Sequence, residues 1–247
     1  MMPAISRIIL SSASSDLVFS GGGRTRPLTV HRSAKAKAMR LSVDPRDGTV
    51  RLSLPTRAAL RPALAWAAEK RGWIEGALAV LPAPRPIVPG ATIPFEGRDV
   101  RIAWRPEAPR TVRLEGTMLH VGGPEEAVGA RVLRWLRREA GERMAAETRF
   151  FAARAGVAVG RIGIGDPRSR WGSCAASGDI RYSWRLILAP PHVREATVAH
   201  EVAHLLHMDH SPAFHAAVTR LLGRDPRSER QWLRTHGASL YWLGRDS

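Results

Sequence analysis

Apolar and polar residues alternate along much of the first half of the chain, and the period then changes. Segments 27–32, 38–43, 48–54, 98–104 and 111–121 read as strands with one buried face. Asp47-Gly48, between two of them, is a hairpin signal. Residues 56–79 shift to helical spacing, and the proline-rich LPAPRPIVPG at 81–90 reads as a connector. A long amphipathic helix is predicted at 124–155, with Val128, Val132, Leu136 and Ala140 on one face. Strand-like runs follow at 159–164, 169–174 and 180–188, the last two separated by the turn-rich Ala176-Ser177-Gly178-Asp179. No internal repeat is evident. The pattern predicts an α+β chain in three parts: a disordered segment 1–25, a β-rich domain with one helix at 26–122, and a second domain at 123–247.

Near the end of the chain the pattern changes again. Pro190 and Pro191 can start a helix but not continue one, and from Val193 to Leu206 apolar residues fall nearly all round. A helix that apolar is buried, and it is expected to end near His207 or Met208. Ser211-Pro212 then reads as the cap and first position of a new helix at 212–222, with another at 226–237.

The buried helix carries HEVAHLLHMDH, residues 200–210. His200 and His204 lie one turn apart on one face, where both imidazoles reach a single ion, and Glu201 sits beside the open coordination position. Five of the nine histidines, His200, His204, His207, His210 and His215, fall within sixteen residues, and packing alone gives no reason for that crowding. His210 falls in the bend between two helices, from which it can turn back toward the pair. It is the favoured third ligand, with His207, His215 and Glu229 as rivals. Three imidazoles favour zinc. The spacing HExxHxxxxxH also occurs in metzincins, but His207 stands where that pattern has its turn glycine.

The run SRWGSCAASGDIRYSWRLILAPPHVREATVAHEVAHLLHMDHSPAFH, residues 169–215, resembles the signature region of the YgjP-like metallopeptidases, relatives of the SprT and WLM zincins. HRSAKAKAMRLSVDPRDGTVRLSLP at 31–55, KRGWIEGAL at 70–78 and IPFEGRDVRI at 93–102 are similar to the N-terminal part of that family. The resemblance implies a zincin-like catalytic half, zinc ligands at His200, His204 and His210, and a catalytic glutamate at Glu201. Three positions depart from the family pattern: Ser183 and Asp209 replace the usual Asn, and His215 the usual Trp.

An open three-ligand zinc lowers the pKa of a water in its fourth position toward neutrality and polarises a carbonyl, with Glu201 as the proton carrier. The reaction expected is therefore peptide-bond hydrolysis with one zinc per chain. The hairpin ahead of the metal helix can offer an edge strand to a peptide substrate, with Arg170, Trp171 and Arg185 as contacts. Tyr182, His192, His207 and His215 are open candidates for an oxyanion donor. Two other readings fit the same motif: a hydrolase of a non-peptide substrate such as a nucleotide, and a zinc-stabilised binding module without catalysis.

Composition narrows the setting. Hydrophobic residues make up 44% and charged residues 24% of the 247, which excludes a disordered chain. A single cysteine, Cys174, excludes an internal disulfide framework and reads as a small core residue. No stretch is long and apolar enough to span a bilayer, and Ile8-Ile9-Leu10 is too short for a signal core, so a cytoplasmic location is expected. The net charge is +16, and residues 24–61 carry ten Lys and Arg against Asp44 and Asp47. Nucleic acid or an acidic protein is a candidate partner for that part, in which case the enzyme would be a DNA-associated protease. Coding bias toward Arg gives the alternative that the charge is solvated surface.

Overall fold

The computed structural model of the chain describes residues 8–10 and 17–245. The fold is α+β with three small mixed sheets, and it divides into two compact units, up to Ala83 and from Pro84 onward.

The first unit holds strands β1 (Ile8–Leu10), β2 (Leu17–Gly21), β3 (Arg24–Ser33), β4 (Arg40–Val43) and β5 (Val50–Pro55), in the order β1-β2-β3-β5-β4. β3 and β5 run parallel, and the other pairs are antiparallel. Val50, Leu52 and Leu54 of β5 alternate inward and are fully buried. Helix α1 (Leu60–Glu69) clusters Ala63 and Ala67 with Leu52 and Leu54, and α2 (Arg71–Ala79) clusters Ile74 and Leu78 with Phe19, Leu28 and Val50. Each large aliphatic side chain so buried contributes about 1.5–3 kcal/mol. Lys35, Lys37 and Arg40 are exposed.

The second unit opens with β6 (Thr92–Phe95), β7 (Arg98–Arg105), β8 (Arg113–Glu115) and β9 (Met118–Gly122), in the order β6-β7-β9-β8 with β7 and β9 parallel. This is the topology of β2 to β5 over again: two hairpins, the second and fourth strands paired in parallel, then helix. The duplication lies in connectivity, which leaves no periodic trace in the residues. The long helix α3 (Val128–Ala155) follows, burying Val132, Leu136, Ala140, Met144 and Phe151 along one stripe, and stops at Gly156 with φ 68°. A three-stranded sheet of β10 (Ile162–Gly165), β11 (Gly172–Cys174) and β12 (Ile180–Ser183) has β12 in the centre and β11 at an edge. Three helices complete the unit: α4 (Pro191–Ala203), α5 (Pro212–Leu222) and α6 (Arg227–His236), before a 3₁₀ segment at Gly237–Trp242.

The β6–β7 turn anchors the start of α4. Glu96 and Gly97 both have positive φ, 49° and 74°, and the Glu96 and Gly97 amides donate to the Ile187 and Leu188 carbonyls. A left-handed glutamate costs about 1–2 kcal/mol. Its carboxylate offsets this by accepting from Arg194 at 3.0 Å, and Arg194 of α4 also binds Glu147 of α3 at 2.7 Å. The 92–122 strands therefore belong to the second unit, which begins at Pro84.

Other differences have local causes. Strands β2 and β3 occupy part of the segment read as disordered, and residues 1–7 and 11–16 lie outside the described residues. The single helix of 56–79 starts only at Leu60, where Pro62 fits the first turn, and breaks at Lys70. The run 180–188 is strand only to Ser183. The Ser183 hydroxyl accepts from the Arg185 amide and turns the chain into a 3₁₀ segment, Trp184–Leu188. Those five residues are all buried, and a fully buried run has no period to separate strand from helix. No helix of the described residues is long and apolar enough to cross a membrane.

Candidate metal centre and active site

Helix α4 ends earlier than its apolar pattern suggests. Its last turn tightens, with the Leu205 amide donating to Val202 and Leu206 to Ala203, so that His204 is the C-cap. The loop 207–210 then reverses into α5, where Ser211 accepts from the Phe214 amide and Pro212 takes the first position, as the sequence predicts. This reversal carries His210 back over the face bearing His200 and His204.

The candidate ligand atoms of His200, His204 and His210 all lie within 4.8 Å of one another, and His210 Nε2 is 3.4 Å from His200 Nε2. Two nitrogens bound to a tetrahedral zinc at ordinary bond length sit about 3.3 Å apart, so the observed spacing fits that ion. His204 Nδ1 lies 3.1 Å from the His207 carbonyl oxygen. A carbonyl can only accept, which puts the proton on Nδ1 and leaves the Nε2 lone pair for a metal. Burial, reinforced by the neighbouring imidazoles, lowers the His200 pKa to about 4 and keeps that ring neutral. His207 contributes its carbonyl to this arrangement. Glu229 lies outside the cluster, its carboxylate held by Arg224 at 2.9 Å and by the Ser228 hydroxyl at 2.7 Å. His215 is exposed, its ring 6.4 Å from that of His210.

Phe214 is a site residue that motif reading does not reveal. It is fully buried, and its ring lies 4.4 Å from the His204 ring, 4.9 Å from His200 and 4.8 Å from His210. It forms an apolar floor that locks the three imidazoles. The signal available in the sequence is its place three residues after the Ser211 cap, where the first turn of α5 faces inward.

Glu201 is 5% exposed, and burial pushes its carboxyl up to about 7 against the opposing charge of Arg170. A carboxyl poised there can take and release protons near neutral pH. It reaches this position by lying against the backbone of Gly172 on β11, the glycine of the RWGSC run. Trp171 packs beside it on Tyr241, with ring centroids 5.6 Å apart.

A cavity of about 260 Å³ opens beside Glu201 and His200, and Arg170 and Trp171 are among its lining residues. Arg185 does not. Its guanidinium makes a bidentate pair with Asp166 at 2.8 and 3.0 Å, donates to the Leu240 carbonyl, and lies between the rings of Trp184 and Tyr241. That corrects the expectation of a substrate contact: Arg185 ties the C-terminal 3₁₀ segment to the core. Among the oxyanion candidates, Tyr182 is fully buried and shares a hydrogen bond with Thr148, and burial raises its hydroxyl far above the usual range. It faces no cavity. Of the departures from the family pattern, Ser183 caps the 3₁₀ segment and Asp209 accepts from the Ser211 amide, so both serve local turns.

No curated protein and no solved structure gives a significant match to the chain. Residues 37–236, most of the sequence and the whole of the site, match the family model described as YgjP-like, metallopeptidase domain. On that match the chain belongs to the YgjP-like metallopeptidase family.

Proposed function

We propose that the chain is a zinc-dependent metallopeptidase, with His200, His204 and His210 as ligands and Glu201 as the general base. The observation that carries this reading is the buried Glu201 carboxyl beside three imidazoles whose ligand atoms lie within 4.8 Å of one another, His200 and His210 at 3.4 Å. Zinc, when bound, polarises a carbonyl and makes a coordinated water acidic enough to attack at neutral pH.

The chain's own residues then divide the remaining work. Glu201 takes the proton of the attacking water on a carboxylate oxygen and passes it to the leaving amine. Edge strand β11, which packs beside α4, offers main-chain groups to an extended peptide, and this favours a peptide over a nucleotide. Phe214 and the His207 carbonyl hold the ligand rings in place, so that little reorganisation accompanies the reaction.

The test is direct. Zinc-loaded protein incubated with a mixed peptide library should release fragments that mass spectrometry assigns to hydrolysis, and Glu201→Gln should retain zinc while losing a factor of about 10² to 10⁴ in rate. Hydrolysis unaffected by Glu201→Gln with metal bound would remove Glu201 from the mechanism. Release of phosphate or base from nucleotides without peptide cleavage would replace the peptidase reading.

A further inference from the structure

The cavity beside Glu201 has a character of its own. Its apolar walls come from three helices: Val193 and Ala196 of α4, Val218 of α5 and Leu233 of α6, with Trp171 closing one side. Its 260 Å³ exceeds the roughly 150 Å³ that accepts a benzene ring in an apolar protein interior. The buried Glu229 carboxylate in the wall is neutralised by Arg224. Two further arginines, Arg170 and Arg230, line the cavity and are exposed. One lies close enough to Glu201 and the other close enough to His200 for their charges to be felt there. Neither guanidinium has a hydrogen-bond or ion-pair partner among the described residues.

We propose that this cavity selects the substrate: it takes a leucine- or phenylalanine-sized side chain next to the scissile bond, and Arg170 and Arg230 favour a peptide with an acidic neighbour and disfavour a basic one. The proposal rests on the peptidase reading for the bond that is cut, but the recognition itself is a matter of binding. An apolar side chain leaves water for walls already apolar, whereas a lysine there would face two cations, with Glu229 already held by Arg224 and Glu201 committed to the reacting water. Arg230 sits on α6 and is neither a ligand nor hydrogen-bonded to one, so it can be altered with the ligand set and Glu201 intact, zinc content being checked because its charge is felt at His200.

The experiment uses full-length zinc-loaded protein and a series of octapeptides carrying Leu, Phe, Ala or Lys at one position, each followed by Asp or by Lys. Cleavage by the wild type is measured as kcat/KM, and binding to the Glu201→Gln variant by fluorescence anisotropy. Leu and Phe peptides should exceed Ala peptides on the order of tenfold to a hundredfold in both readouts. Asp-flanked peptides should exceed Lys-flanked ones by about tenfold at low salt, with the margin shrinking as salt rises. Leu233→Trp, which fills the cavity, should erase the preference for Leu and Phe. Should that variant fold poorly, Leu233→Ala should instead shift preference from Leu toward Phe. Arg230→Glu should reverse the flanking preference. Equal cleavage and equal binding of all peptides overturns the proposal and leaves the peptidase reading standing. Selective binding that Arg230→Glu reverses, without cleavage by the wild type, supports the cavity's role and overturns the peptidase reading.

Discussion

Gly172 lies directly against the carboxyl group of Glu201: a Cβ at position 172 would stand 2.5 Å from Glu201 Oε1 and 2.6 Å from its Cγ. The backbone of Gly172 is ordinary in φ, so space alone excludes a side chain there. Gly172→Ala should push Glu201 out of place, reducing kcat/KM on the order of 10²-fold and costing about 1–3 kcal/mol of stability, with zinc content unchanged. Metal analysis, thermal unfolding and kinetics on one preparation check all three. Full activity in Gly172→Ala would show that the carboxyl position is not critical.

The ligand set predicts metal content. Purified protein should carry about one zinc per chain, and His204→Ala or His210→Ala should each lower occupancy at least tenfold. Glu229→Ala should keep the metal, because its carboxylate is engaged by Arg224 and Ser228 outside the cluster. Loss of zinc in Glu229→Ala with retention in His210→Ala would reverse the assignment.

The position of Glu201 predicts two pH effects of definite sign. A base must be ionised, so kcat/KM should show an acid limb, which bound zinc places below the value of about 7 that burial alone sets for Glu201. Arg170 lowers the Glu201 pKa, so Arg170→Ala should move that acid limb to higher pH. In metal-free protein the raised pKa means the native state holds this proton more tightly than the unfolded chain. The stability it confers is full below about pH 4.5 and lost as pH rises through about 7. Metal-free Glu201→Gln should therefore be more stable than metal-free wild type at pH 8, by up to about 3 kcal/mol, with the gain fading toward pH 5. Thermal unfolding at the two pH values measures it.

Arg185 predicts a structural phenotype rather than a kinetic one. Arg185→Ala removes a bidentate pair with Asp166 and the stack between Trp184 and Tyr241, and should lower stability by about 3 kcal/mol. KM for peptides should stay within about twofold below the unfolding temperature. A large rise in KM without loss of stability would restore Arg185 as a substrate contact.

The basic part of the first unit predicts a salt effect. If exposed Lys35, Lys37 and Arg40 contact phosphate, neutralising all three should weaken DNA binding and flatten its dependence on salt. Unchanged affinity and salt slope would assign the charge to solvated surface.

The candidate metal cluster was legible in the residues because its geometry is local. His200, Glu201 and His204 are placed by one helical turn, and Ser211-Pro212 announces the reversal that returns His210 to them. Alternation in β5 and the stripe of α3 were legible for the same reason, since one face of each is buried and the other wet. What lay beyond the sequence depends on partners distant along the chain. The 3₁₀ segment at Trp184–Leu188 is buried on every side and carries no period. The boundary at Ala83 follows from Glu96 meeting Arg194, ninety-eight positions away. Arg185 reads as a substrate contact until Asp166 and the Leu240 carbonyl surround it, and Gly172 reads as one residue of a strand until Glu201 lies against it. Local periodicity states which face a segment buries, and only tertiary packing states against what.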